Sequence, residues 1–219
     1  MTLLIFDSDG VLVDSEIMAL ETLMELMASL GRTLTLDEAV REFAGGSLTD
    51  TVATAERLLG RPIPQATGAT YGQRLLERLR RDLKPVAGVR DAILALPYRR
   101  CVASSSTLER LRMSLDVTGL AALFGHNVFS AVDVARGKPA PDLYLFAARS
   151  MRAAPERCIV IEDTVRGVIA GRAAGMRVIG FSGAAHASPA LADDLARAGA
   201  EIVIRAMDEL PAVVRRMAA

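Results

Sequence analysis

The sequence predicts an α/β fold built on a doubly wound parallel sheet, and two observations support this prediction. Short, almost continuously apolar runs recur along the chain, which is typical of strands covered by helices on both faces. Helical patterns lie between most of these runs, as in repeated strand-helix units. The predicted strands are residues 3–6, 100–104, 158–162, 177–181 and 201–204. In such a sheet the ligand site lies beyond the carboxyl ends of the strands.

Two helices of the predicted core have clear boundaries. The first covers Pro141 to Met151, where a proline followed by an acidic residue begins the helix. The second covers Thr164 to Ala174 and ends at Gly175. Several glycines and alanines in the second helix predict close packing on the sheet.

The segment between the first two strands, residues 15–84, is predicted to be almost wholly helical and is too long for one crossover connection. Apolar residues at helical spacing fill residues 17–30. Thr35 and Ser47 each precede an acidic residue by three positions, as in a capping box that opens a helix. A last helix is predicted over residues 70–82.

The chain is therefore predicted to form a Rossmann-like core from residues 1–14 and 85–219 and a small helical cap domain from residues 15–84. Two chain passages between them would act as a hinge, so that the cap opens to admit substrate and closes to exclude water. Gly45, Gly46 and Ser47 lie between two predicted cap helices, where the backbone could approach a ligand. The alternative is an ordinary turn between helices.

Composition excludes several classes of partner. Of the 219 residues, 51% are hydrophobic, and 26 basic residues balance 26 acidic ones. No overall field would draw such a chain to nucleic acid or to an acidic membrane. Cys101 and Cys158 lie inside apolar runs, as expected of buried hydrophobic residues in a reducing compartment. A cytoplasmic protein is predicted, with no membrane span, as a monomer or homodimer.

Asp7 and Asp9 follow the first predicted strand directly. Residues i and i+2 of an extended chain face the same side, so the two carboxylates can converge. Solitary anions at a sheet edge would repel each other and lose hydration, which predicts a cation beside them. A solvated turn is the alternative, because aspartate and glycine are both common in turns.

Three further features bear on this pair, and two of them lie at the ends of other predicted strands. Ser104 and Ser105 offer hydroxyl and backbone N–H groups just before a helix, as an anion cradle or as simple capping residues. Lys138 lies in a stiff, proline-rich turn, where its ammonium could neutralise carboxylates and phosphate, or be exposed. Glu162 and Asp163 add a second carboxylate pair. Together with Asp7 and Asp9 this forms a hard-oxygen site suited to Mg²⁺.

The ordered set of motifs resembles the haloacid dehalogenase superfamily, in the subgroup with a helical cap inserted after the first motif. The motifs are Asp7-Ser8-Asp9-Gly10, Ser104 after an apolar strand, Lys138 before Pro139, and Glu162-Asp163 followed by Gly167. Each motif alone is weakly specific, but their order is highly specific, and with the cap the resemblance covers nearly the whole chain.

The resemblance implies a Mg²⁺-dependent phosphatase that acts on a small phosphorylated metabolite through an aspartyl-phosphate. Asp7 would be the nucleophile and a metal ligand, and Asp9 would be the acid and then the base, with its carbonyl on the metal. Ser104 and the Ser105 amide would hold phosphoryl oxygens, and Lys138 would bridge phosphate and Asp7. Asp163 would bind the metal, with Glu162 helping directly or through water.

The resemblance also orders the alternatives. Dehalogenases of the superfamily lack an acid at the position of Asp9, and phosphonate hydrolysis needs a cap lysine that residues 15–81 do not contain. A sugar phosphomutase of the β-phosphoglucomutase type would carry an arginine in the cap loop, where residues 46–49 have none. A phosphatase for sugar or sugar-acid phosphates is therefore preferred. A non-catalytic binding protein is the alternative of another class. His126 and His186 are predicted to have structural or surface roles rather than catalytic ones.

Overall fold

A computed structural model describes residues 2–43 and 48–218. Within these residues, six strands form a single parallel sheet in the order β3-β2-β1-β4-β5-β6. The strands are β1 (Leu3–Phe6), β2 (Arg99–Ser104), β3 (Val128–Ser130), β4 (Cys158–Glu162), β5 (Arg177–Phe181) and β6 (Ile202–Ile204). The predicted fold class, a Rossmann-like parallel α/β sheet, is confirmed. Strand β3 is an addition to the predicted set.

The chain divides into two compact units. One consists of Met1–Asp14 with Lys84–Ala219, and the other is the insert Ser15–Leu83. The helices of the insert are α1 (Glu16–Ser29), α2 (Leu36–Phe43), α3 (Leu48–Leu59) and α4 (Gln65–Asp82). Those of the sheet unit are α5 (Val89–Leu94), α6 (Leu108–Val117), α7 (Ala121–Phe124), α8 (Asp142–Ser150), α9 (Val165–Ala173), α10 (Leu191–Arg197) and α11 (Leu210–Ala218).

The centre of the sheet is buried on both faces. Every residue of β1 and β4 is buried, which explains why their sequences are continuously apolar until the carboxyl end. Cys101 and Cys158 are free and buried, as predicted. On α9, a Cβ added to Gly171 would lie 2.8 Å from Val178 Cγ2 on β5, so a glycine is needed where this helix meets the sheet.

The chain leaves the sheet unit and returns to it at adjacent points. The Asp14 N–H donates to the Lys84 carbonyl at 3.1 Å, and Val13 forms an antiparallel bridge with Pro85. These contacts belong to the sheet unit itself, so the two ends of the insert are joined by backbone pairing within the core.

The insert has its own apolar core, to which Leu20, Leu23 and Phe43 contribute. The predicted capping box at Thr35 is present: the Thr35 N–H donates to Glu38 Oε2 at 2.8 Å, and the Glu38 N–H donates to Thr35 Oγ1 at 3.2 Å. The box predicted at Ser47 lies outside the described residues. Helix α4 begins at Gln65, five residues before the predicted start.

The basic residues of α4 do not share a single environment. Arg74, Arg80 and Arg81 are exposed, as is usual on a solvated helix face. Arg78 instead forms ion pairs with Glu21 and Glu25 of α1. The Arg78 guanidinium is therefore paired with carboxylates within the insert.

Across residues 2–43 and 48–218, no helix is both long and apolar enough to cross a membrane.

Candidate active site

The first group of the site is Asp7, which follows β1 immediately. Its N–H donates to the Ile161 carbonyl of β4 at 3.0 Å, which continues the parallel pairing by one residue. The register pairs Phe6 with Ile161, so the residues after the two strands emerge side by side. The sheet therefore brings Asp7 together with Glu162 and Asp163, although they are far apart in sequence.

Lys138 joins the two carboxylate groups. Its Nζ lies 2.7 Å from Asp7 Oδ1 and 2.7 Å from Glu162 Oε1. The side chains of Lys138, Asp7 and Glu162 are only 6%, 9% and 0% exposed. Burial alone lowers the pKa of Lys138, but the two carboxylates outweigh it and hold that pKa well above its ordinary value. Lys138 is therefore a fixed, buried ammonium.

The loop that carries Lys138 is itself held in place. Arg166, on α9, donates from Nη2 to the Lys138 carbonyl at 2.8 Å. The Lys138 ammonium also lies 5.0 Å from the centre of the Tyr144 ring, within the range of a cation-π contact. Both contacts restrict the lysine to the position between the carboxylates.

Protein donors engage both oxygens of Glu162. Oε1 accepts from Lys138 and from the Tyr144 hydroxyl at 3.2 Å, and Oε2 accepts from the Thr164 N–H at 2.6 Å. Thr164 Oγ1 donates to Oε2 as well, at 2.9 Å. These contacts favour the indirect form of its predicted metal role, because the carboxylate is already committed to positioning Lys138.

A buried acidic cluster lies at this edge of the sheet. One carboxylate oxygen from each of Asp7, Glu162 and Asp163 lies within 4.8 Å of the others. Burial, together with the neighbouring carboxylates and despite Lys138, raises the pKa of Asp7 well above its ordinary value. A hard divalent cation would relieve this repulsion, and carboxylates such as those of Asp7 and Asp163 are donors that Mg²⁺ prefers. The residues present therefore fit the predicted metal.

His186 also lies at this cluster. Its Nε2 is 3.3 Å from Asp163 Oδ2, and its side chain is 11% exposed. Its place in a small-residue loop after β5, distant in sequence from the motifs, carries no signal for this contact. His126, in contrast, is exposed.

Asp9 has a separate set of partners. Its Oδ1 accepts from Arg110 Nη2 at 2.7 Å, and its Oδ2 accepts from Ser106 Oγ at 2.7 Å. Ser104 Oγ lies 3.5 Å from the same Oδ2. Asp9 is near enough to contribute to the raised pKa of Asp7. The carboxylates of the two aspartates are paired with different cations, Asp7 with Lys138 and Asp9 with Arg110.

The three serines at the end of β2 and in the loop that follows it have side chains in different environments. Ser104 is buried, Ser105 is exposed, and Ser106 turns back toward Asp9. The Ser106 N–H donates to Ser104 Oγ at 3.2 Å, and Ser130 Oγ donates to the Ser106 carbonyl at 2.7 Å. The predicted role of Ser105 uses only its backbone amide, and its exposed side chain is compatible with that role.

The sequence-based prediction assigned no individual site role to Ser106, Arg110 or Tyr144. Ser106 could have been found from its i+2 relation to Ser104, the same rule that paired Asp7 with Asp9. Arg110 has no comparable signal, because a single arginine on an amphipathic helix is usually exposed. Gly45, Gly46 and Ser47, predicted to contact substrate, lie outside the described residues.

The fold and the cluster of Asp7, Lys138, Glu162 and Asp163 define a hydrolase of the α/β class with a nucleophilic carboxylate candidate. The match to the haloacid dehalogenase-like hydrolase family spans residues 4–181, and the chain belongs to this family. The predicted family is thereby confirmed.

Individual relatives are similar over most of the chain. The 6-phosphogluconate phosphatase of Escherichia coli (strain K12) is 28% identical over 185 residues, which are 84% of each chain. The structure of a conserved haloacid dehalogenase-like protein from Agrobacterium tumefaciens str. C58 is 41% identical and covers 100% of both chains, with a TM-score of 0.89. A haloacid dehalogenase family hydrolase from Deinococcus radiodurans R1, solved with bound phosphate and sodium, is 32% identical, with coverages of 99% and 96% and a TM-score of 0.82.

The family and the phosphatase name among these relatives support the predicted enzyme class, a phosphoric monoester hydrolase.

Proposed function

We propose that this protein is a Mg²⁺-dependent phosphatase that hydrolyses a small phosphorylated sugar or sugar acid through an aspartyl-phosphate on Asp7. The observation that carries the proposal is the placement of Lys138, 2.7 Å from both Asp7 and Glu162 inside a buried acidic cluster. Such a cluster with a single fixed ammonium is suited to accepting a phosphate dianion once a divalent cation balances the remaining charge.

In the first step, a carboxylate oxygen of Asp7 attacks phosphorus, and the bond between phosphorus and the leaving oxygen breaks. Asp9 gives its proton to that oxygen, so the product leaves as an alcohol. Lys138 neutralises charge on Asp7 and on the phosphoryl group, which reduces the repulsion between two anions. Ser104 Oγ and the Ser105 amide are suited to hold the equatorial oxygens.

In the second step, Asp9 is ionised and takes a proton from a water molecule as that water attacks phosphorus. The bond between phosphorus and Asp7 breaks, inorganic phosphate is released, and Asp9 is protonated for the next cycle. Covalent catalysis thus divides one difficult displacement into two easier ones.

The Asp7 and Asp163 carboxylates and the Asp9 carbonyl would hold Mg²⁺. When bound, the ion supplies positive charge that stabilises the phosphoryl oxygens and favours ionised Asp7. Glu162 acts through Lys138, whose position it fixes.

The relatives support the proposed substrate class, and the insert is the region proposed to select within it. The name of the Escherichia coli relative identifies a phosphorylated sugar acid as the substrate of that protein. The insert would act as a cap, with residues 45–47 contacting the leaving group, and the fixed chemistry of the core would leave the choice of substrate to this region.

The direct test is Mg²⁺-dependent release of phosphate from p-nitrophenyl phosphate, followed by a screen of phosphorylated sugars and sugar acids that includes 6-phosphogluconate. Asp7→Asn should abolish release, because an amide is a poor nucleophile. Asp91→Asn, an exposed residue on α5, is the matched control and should leave the rate unchanged. Equal release by wild type and Asp7→Asn would refute the nucleophile assignment, and a phosphorylated isomer in place of inorganic phosphate would identify a mutase.

A further inference from the structure

We propose that Arg110 and Ser106 are positioning residues that fix the carboxylate of Asp9 for proton transfer. Arg110 Nη2 donates to Asp9 Oδ1 and Ser106 Oγ donates to Asp9 Oδ2, each at 2.7 Å. The two donors bind different oxygens, so together they set both the position and the rotation of the carboxylate. No family motif identified in the sequence contains either residue.

Both donors are built into the core. The side chains of Arg110 and Asp9 are 21% and 14% exposed, so their ion pair is largely shielded from solvent. Arg110 lies on α6 and Ser106 in the loop after β2, and the backbone of that loop is held by Ser104 and Ser130. Two neighbouring elements thus converge on one side chain.

The carboxylates of the site are paired with two different cations. Lys138 forms ion pairs with Asp7 and Glu162, whereas Arg110 forms an ion pair with Asp9. Arg110 donates to one oxygen of the Asp9 carboxylate and Ser106 donates to the other, from which Ser104 Oγ lies 3.5 Å away. The Asp9 carboxylate is therefore held at both of its oxygens.

The inference rests on the proposed function, because it assumes that Asp9 delivers a proton to the leaving oxygen. A misplaced acid should then matter most when the leaving group needs that proton. Phenolate is a poor leaving group and depends on protonation, whereas p-nitrophenolate departs readily without it. The two aryl phosphates are otherwise similar in size and shape, so their comparison isolates the acid.

The test compares kcat/KM for phenyl phosphate and p-nitrophenyl phosphate in wild type, Arg110→Gln and Ser106→Ala. In both variants we expect kcat/KM to fall by about tenfold or more for phenyl phosphate and by about twofold or less for p-nitrophenyl phosphate. Arg110→Lys should recover part of the loss, because an ammonium can replace one of the guanidinium contacts. Arg112→Gln, an exposed residue on the same helix, is the charge-matched control.

Equal losses with the two substrates, or no loss in either variant, would overturn the inference while leaving the phosphatase assignment intact. Absence of phosphate release by wild type would overturn the proposed function and this inference with it. Thermal unfolding of each variant separates misfolding from mispositioning, and Ser106→Ala provides a second, smaller perturbation if Arg110→Gln does not fold.

Discussion

Gly167, on α9, is the most informative residue to change, although it takes no part in the chemistry. A Cβ added at this position would lie 1.6 Å from Glu162 Oε1 and 2.0 Å from its Cδ. The residue has a helical backbone, so alanine meets no conformational barrier there. Gly167→Ala therefore tests the placement of the buried Glu162 carboxylate, because the added methyl group would overlap with it.

Two opposing effects set the size of the result. Alanine is favoured over glycine within a helix by about 1 kcal/mol. Against this, Glu162 must move and weaken its contacts with Lys138 and Thr164, and breaking a buried charge pair costs about 3 kcal/mol or more. The variant should therefore be less stable by about 2 kcal/mol, or about 4–8 °C in Tm for a chain of this size.

The assay is thermal unfolding followed by circular dichroism, with phosphate release measured in parallel. Gly171→Ala is the matched control, since it makes the same substitution on the same helix but meets the Val178 side chain instead of the site. We expect Gly167→Ala to lose both stability and activity and Gly171→Ala to lose stability alone. A Gly167→Ala protein as stable and active as wild type would refute the tight placement of Glu162.

Two further outcomes are expected. Tyr144→Phe removes the hydroxyl that donates to Glu162 but keeps the ring beside Lys138, so unfolding by denaturant should show a loss of about 1 kcal/mol with kcat lowered only a few-fold; a complete loss of activity would contradict this assignment. Burial raises the pKa of Asp7, so Mg²⁺ binding should release a proton and tighten as pH rises. Without metal, Asp7 keeps its proton in the folded protein at pH values where the unfolded chain has already lost it. Stability should therefore fall as pH rises from the ordinary pKa of an aspartate to the raised pKa of Asp7. Calorimetric titration of Mg²⁺ at several pH values checks the first effect, and pH-independent affinity would contradict it.

The fold could be predicted because its strongest signals are local and repeated. Strands β1 and β4 are buried on both faces, and that burial requires the continuous apolar runs that make them visible in the sequence. Strand β3 was missed because only Val128–Ser130 pair with β2, at the edge of the sheet, where three residues carry no readable period. Short edge strands owe their existence to a neighbour rather than to their own sequence.

The same contrast applies to the site. Asp7, Asp9, Ser104 and Asp163 could be placed at one edge of the sheet from the sequence, because each lies at or just beyond the carboxyl end of a recognisable strand. Arg110 could not be predicted, because its partner is set by how α6 packs beside the loop that follows β1. Long-range pairing of a single side chain leaves no periodic trace in a sequence.

The pairing of Asp14 with Lys84 at the base of the insert has a consequence for the architecture of the chain. The chain exits and re-enters through adjacent, hydrogen-bonded backbone positions, and all six strands of the described sheet belong to the unit formed by Met1–Asp14 and Lys84–Ala219. To the sheet, this whole segment is equivalent to a hairpin loop, and loop-closure entropy grows only slowly with loop length. We therefore expect that the insert can be lengthened or exchanged while the strand order remains the same.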